Sequence, residues 1–86
     1  MASIEEISNG IQGVIDKLDE ARTAANAVAS DTDEAINQAM GMSADALAAA
    51  LNQVKDTIDK GTNQISAAID IFNQATTQAQ AARQGT

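Results

Sequence analysis

A chain of 86 residues can form one domain, residues 1–86, with a small core. It has no His, Cys, Trp, Tyr or Pro, which excludes disulfides, thiolate chemistry, His/Cys zinc sites and the usual catalytic triads. Twelve acidic residues against five basic ones give a net charge of −7, which repels phosphate backbones and anionic membranes.

The N-terminal stretch MASIEEISNG carries Glu5 and Glu6 where a signal peptide needs basic residues and then an apolar run. No apolar segment approaches the length of a membrane span. The expectation is a protein that is soluble and cytoplasmic as made, any export taking a leaderless route.

From Ile4 the apolar residues step by three and four. The first line is Ile4, Ile7, Ile11, Val14, Leu18, Ala21, Ala25, Val28, Thr32, Ala35 and Ala39. No charged residue falls on it. With no proline to interrupt it, this heptad rhythm predicts one helix over 3–40. Asn9-Gly10 and Gly10-x-x-Gly13 have no preceding strand, so they read as helix-packing positions rather than a phosphate loop. Asp31 with Glu34 resembles a capping box, yet the rhythm runs through it, which favours a continuous helix.

At mid-chain, Met-Gly-Met ends the first helix. Gly41 suits the left-handed position past a helix end, and Ser43 suits the N-cap of the next. Met42 and Leu47 have the spacing of a hydrophobic staple, and Asp45 complements the positive end of the helix dipole. A turn at 41–43 this short requires an antiparallel hairpin.

The second line is Ala44, Leu47, Leu51, Val54, Ile58, Gly61, Ile65, Ala68, Phe72, Ala75, Ala79 and Ala82, again free of charge, and predicts a helix over 44–83. The fold class is all-α: two long antiparallel helices in a rod of about 55–60 Å. Folding about 41–42 pairs Ile58 with Ala25, Ile65 with Leu18, Phe72 with Ile11 and Leu51 with Thr32. Gly61 then lies near Ala21 and Arg22, a thin waist where the backbones approach closely.

Ile15, Ile36 and Ile69 each follow a position of these lines and widen the apolar stripe beyond a two-stranded coil. Met40, Met42 and Ile71 add to it. Burying one isoleucine is worth about 1.5–3 kcal/mol, so exposing several on a small rod favours association. The expected partner is a second hairpin completing a four-helix bundle, from an identical or a different chain. Ile15, Ile36, Ile69, Ile71, Met40 and Met42 are the candidate partner-binding residues, with Gly41 and Ser43 forming the turn.

No enzyme emerges. Asp16, Asp19 and Glu20, and Asp31, Asp33 and Glu34, lie off the apolar lines and read as solvated faces. Asp31-x-Asp33 lacks the glycine and terminal glutamate of a calcium loop. Asp19 with Arg22 and Asp56 with Lys60 read as surface pairs. No cofactor, metal or small-molecule site is expected, and neither nucleic acid nor a membrane is an expected partner.

A small, acidic, Cys-free helical hairpin turning at mid-chain resembles the WxG superfamily of type VII secretion. Met40-Gly41-Met42 stands where that family has Trp-x-Gly; the Trp is absent and the glycine is displaced by one. Phe72-Asn-Gln-Ala-Thr76 stands where the family carries the Tyr-x-x-x-Asp/Glu export signal and lacks both ends of it. The resemblance implies pairing into four-helix bundles, export without a cleaved signal peptide, and a role as the signal-less partner of a secreted protein. The leading expectation is therefore a non-enzymatic targeting partner or chaperone for a larger secreted protein or toxin. The alternative is a self-assembling structural homo-oligomer, and a membrane-surface sensor is the remote third reading.

Overall fold

The computed structural model describes residues 3–84. Two α-helices make up the fold: α1 (Ile4–Gly41) and α2 (Asp45–Gln84), packed side by side as an antiparallel hairpin. The Cα trace measures 66 × 16 × 14 Å, somewhat longer than the rod expected from sequence.

Ser3 starts α1: its hydroxyl oxygen accepts the Glu6 N–H at 3.1 Å, while Glu5 and Glu6 occupy the electropositive first turn. The helix then runs unbroken through Ser30–Asp33. Thr32 is accommodated there by donating its hydroxyl to the Val28 carbonyl at 2.8 Å.

The turn differs from the sequence expectation. Gly41 has no positive φ and belongs to α1; Ser43 takes the left-handed conformation, at φ 58°. The Ser43 N–H donates to the Met40 carbonyl and the Ala44 N–H to the Ala39 carbonyl, at 3.1 and 2.8 Å. These two bonds make a Schellman closure with serine, not glycine, at its left-handed residue. A left-handed residue cannot also be an extended N-cap, so Ser43 does not cap α2. Met42 and Leu47 stay 70% and 50% exposed, so no staple buries them.

The interhelical seam is also rotated. Ile4, Ile11, Leu18, Ala25, Thr32 and Ala39, with Ala44, Leu51, Ile58, Ile65, Phe72 and Ala79, are buried or half-buried, as expected. The row completing the seam is Ser8, Ile15, Arg22, Ala29 and Ile36 on α1, and Ala48, Lys55, Thr62, Ile69 and Thr76 on α2, every member buried or half-buried. Each of these lies one residue after an expected seam position, which turns each helix by about 50° about its axis. Ile15, Ile36 and Ile69, expected on an outer stripe, are the core isoleucines at 9%, 7% and 8% exposure.

The register has moved by about one helical turn. Asp33 bonds Lys55, and Arg22 bonds Ser66; both pairs join positions whose numbers add to 88, not 83. The two-fold centre of the hairpin therefore falls near the 43–45 turn. Ile36 comes level with Leu51, Ala29 with Ile58 and Ile15 with Phe72, replacing the pairings expected from folding at 41–42. Gly61 is not pressed against α1: a Cβ there would meet nothing within 4 Å.

Candidate interaction face

Rotating the seam inward leaves its counterpart outside. Ile7, Val14, Ala21, Val28 and Ala35 form a shoulder along α1, and Leu47, Val54, Gly61, Ala68 and Ala75 one along α2. The large members remain open to solvent: Ile7 46%, Val14 40%, Val28 51%, Leu47 50% and Val54 48% exposed.

Both shoulders lie on the same side of the hairpin. In a heptad, the residue before a seam pair and the residue after it flank opposite sides of the seam. Asp33 and Ser66 belong to the row after it. Each reaches the inner row of the opposite helix, Asp33 to Lys55 at 2.8 Å and Ser66 to Arg22 at 3.3 Å. These rows therefore share one side, and the shoulders share the other.

The two sides differ in chemistry. The side of Asp33 and Ser66 carries Glu5, Gln12, Asp19, Asn26, Asn52, Asp59 and Asn73. The shoulders carry no charged residue. The basic groups of the seam lean toward the acidic side: Arg22 Nη2 contacts Asp19 Oδ1 at 2.6 Å, and Lys55 Nζ sits 2.8 Å from Asp33 Oδ1. The hydrogen bond to Asp33, followed by the field of that carboxylate, raises the Lys55 pKa above its ordinary value. Their aliphatic stems cover the seam while the charged ends reach water.

The core beneath the shoulders is thin. Among the described residues no large side chain is completely buried; Ala39 is the most enclosed, at 1%. Leu18, Leu51, Ile58, Ile65 and Phe72 are only half-buried, because the side of each that faces the shoulders has no further layer over it. A second layer would complete this core.

The expected partner residues divide accordingly. Met40, Met42 and Ile71 are exposed, at 61%, 70% and 62%. Ile71 follows Ala68 by three residues and precedes Ala75 by four, which places it beside the α2 shoulder. Ile15, Ile36 and Ile69 are withdrawn into the seam, and Ile7, Val14, Val28, Leu47 and Val54 are exposed instead. Rejecting every charge from the seam led the sequence reading to the wrong row. The signal available was its sign: the inner row carries only basic charge, at Arg22 and Lys55, and none of the twelve acids.

The carboxylates Asp16, Asp19, Glu20, Asp31, Asp33 and Glu34 are all exposed. Among the described residues no group of three His, Cys, Asp or Glu could hold a metal ion, and no helix is long and apolar enough to cross a membrane. Asp19–Arg22 forms as expected and Lys17–Glu20 lies at 3.6 Å; the expected Asp56–Lys60 pair is not among the ion pairs of the described residues. Two open depressions, one around Asn73 and one around Val54, are each lined by α2 alone. Comparison of the chain with protein-family models, curated proteins and solved structures finds no match.

Proposed function

We propose that the chain is a non-enzymatic helical partner protein, one half of a helical bundle whose other half covers the two shoulders. A single observation carries this reading: five large aliphatic side chains, Ile7, Val14, Val28, Leu47 and Val54, stand 40–51% exposed along a face without charge. In a protein of net charge −7, isolated apolar residues are ordinary, but a charge-free strip running the length of a rod is the mark of an interface.

The cover is another helical hairpin or a helical segment of a larger protein, since these present ridges of matching spacing. The resemblance in layout to the WxG superfamily supports a cellular role as a type VII-like targeting partner or chaperone, exported without a leader. A self-assembling structural unit is the second reading, favoured by the distribution of side-chain sizes along the shoulders.

The test places a photo-crosslinking residue at Val28 in one strain and at Asn52, on the acidic side, in another. Adducts in the producing cell from Val28 and not from Asn52 are expected, whether to a second copy or to another helical protein. Adducts from neither position, or equally from both, would overturn the reading.

A further inference from the structure

We infer that the hairpin covering the apolar face is a second copy of this chain, lying parallel to the first with the two turns at the same end. This rests on the bundle reading above and adds the identity and orientation of the cover.

The sizes of the shoulder residues carry the inference. In the observed register, the α2 shoulder position nearest in level to Ile7 of α1 is Ala82, that nearest Val14 is Ala75, that nearest Val28 is Gly61, and that nearest Ala35 is Val54. Each level holds one branched aliphatic residue and one alanine or glycine, and Ala21 with Ala68 makes a level that is small on both helices. The large member lies on α1 at the open end and on α2 nearer the turn. A two-fold axis along the rod sets α1 of one copy over α2 of the other at the same level. Ile7, Val14, Val28 and Val54 then each face alanine or glycine, the alternation that close packing of facing positions requires; Leu47, beside the turn, faces the exposed Met42. Gly61 fits this best: its missing Cβ is not needed inside the hairpin, where that space is open, but it leaves a hollow for Val28 of the second copy.

Area and charge agree with this arrangement. The Cα extents of the whole rod, 66 by 16 Å, bound a lengthwise face at about 1,000 Å² per copy, against about 800 Å² per partner in a standard stable interface. Two chains of net charge −7 repel one another, and contact through the shoulders keeps the acidic sides on the outside of the assembly.

Sedimentation equilibrium of the full chain, together with Gly61→Val and Val28→Ala/Gly61→Val, tests the inference. The unaltered protein is expected to be a dimer at micromolar concentration. Gly61→Val fills the hollow, so helix content is kept while the dimer weakens by at least about tenfold. Val28→Ala in the same chain removes the opposing side chain and restores dimerisation. Mixing Val28→Cys with Gly61→Cys chains is expected to yield a disulfide between the two variants; an Ala21→Cys homodisulfide instead would show antiparallel hairpins. A monomeric unaltered chain, a Gly61→Val dimer as tight as the original, or the Ala21 link in place of the mixed one overturns the inference. If the chain is monomeric yet Val28 still crosslinks another protein in cells, the bundle reading stands and the second copy falls. With no adduct there either, both fall.

Discussion

Lys55 of α2 crosses the seam to Asp33 of α1, with Nζ 2.8 Å from Oδ1. Together with Arg22–Ser66 at 3.3 Å, this bond marks the register, because a slip of one heptad would carry each basic group away from its acceptor. Both lie on the polar side of a rod whose other side is aliphatic. The same residues that align the helices thereby decide which face is left exposed.

The Lys55 bond makes stability sensitive to alkali. Its pKa is raised in the fold by the hydrogen bond and charge of Asp33. A raised lysine pKa contributes stability that is fully present below the unfolded value of 10.5 and is lost as pH climbs through the folded value. Thermal unfolding of the native protein should therefore move to lower temperature between pH 9 and pH 12. Lys55→Met should lose less over the same interval, since it has no ammonium to discharge. Equal slopes for the two proteins would remove Lys55 as the source.

Neighbouring residues on one helix should behave in opposite ways. Ile15 is core and Val14 is shoulder, 9% and 40% exposed. Ile15→Asp or Ile69→Asp buries an unpaired carboxylate and should cost about 3 kcal/mol or more, enough to unfold a hairpin this small. Val14→Asp or Val28→Asp should keep helix content, shift intrinsic stability by about 0.5 kcal/mol, and abolish association. Circular dichroism beside light scattering separates the two sets. If Ile15→Asp stays folded while Val14→Asp unfolds, the seam lies on the row first expected from sequence.

The turn offers a test that depends on sign. Ser43 holds φ 58°, a conformation costing a non-glycine residue about 1–2 kcal/mol. After allowing for the greater freedom of glycine in the unfolded chain, Ser43→Gly should stabilise by about 0.5–1 kcal/mol. Gly41 lies in the last turn of α1 with open space at its Cβ, so Gly41→Ala should also stabilise, by about 0.5–1 kcal/mol. For this size of domain each should raise the melting temperature by about 3–6 °C. A destabilising Gly41→Ala would mean that the glycine, and not the serine, makes the left-handed turn.

Two helices, their antiparallel order and their ends to within one residue were legible in the sequence. An absent proline and an unbroken three-four rhythm leave few other folds open. The rotation of the seam was not legible by the same rule. Several shared seam positions have apolar residues in both candidate rows, Val14 and Ile15 before Leu18, Ala68 and Ile69 before Phe72, so periodicity there admits two seams about 50° apart. Preferring the charge-free one overlooked that arginine and lysine can line a seam with methylenes and still reach water. The register followed the same course. Folding at Gly41 assumed that glycine must take the left-handed residue, and moving that residue to Ser43 shifts the pairings by about one turn. The outer apolar stripe was expected on three isoleucines, Ile15, Ile36 and Ile69, that the rotation turns inward.

Arg22 and Lys55 raise a last question, whether their place in the seam serves stability or alignment. Both are half-buried, with stems in the seam and charged ends in water, and apolar residues of similar length would bury more aliphatic surface there. Arg22→Leu with Lys55→Leu should therefore raise the thermal unfolding temperature. Alignment should suffer. The seam would lose the two bonds that tie α1 to α2 at one register, and polar groups at inner positions are known chiefly for specifying register at a cost in stability. A cysteine pair built at Ile36 and Leu51, level in the observed register, reports on this directly. Oxidation should link it completely in the native background and incompletely in the doubly substituted one, where hairpins displaced by a turn become accessible. A doubly substituted protein that is both more stable and equally well linked would show that the short turn alone sets the register.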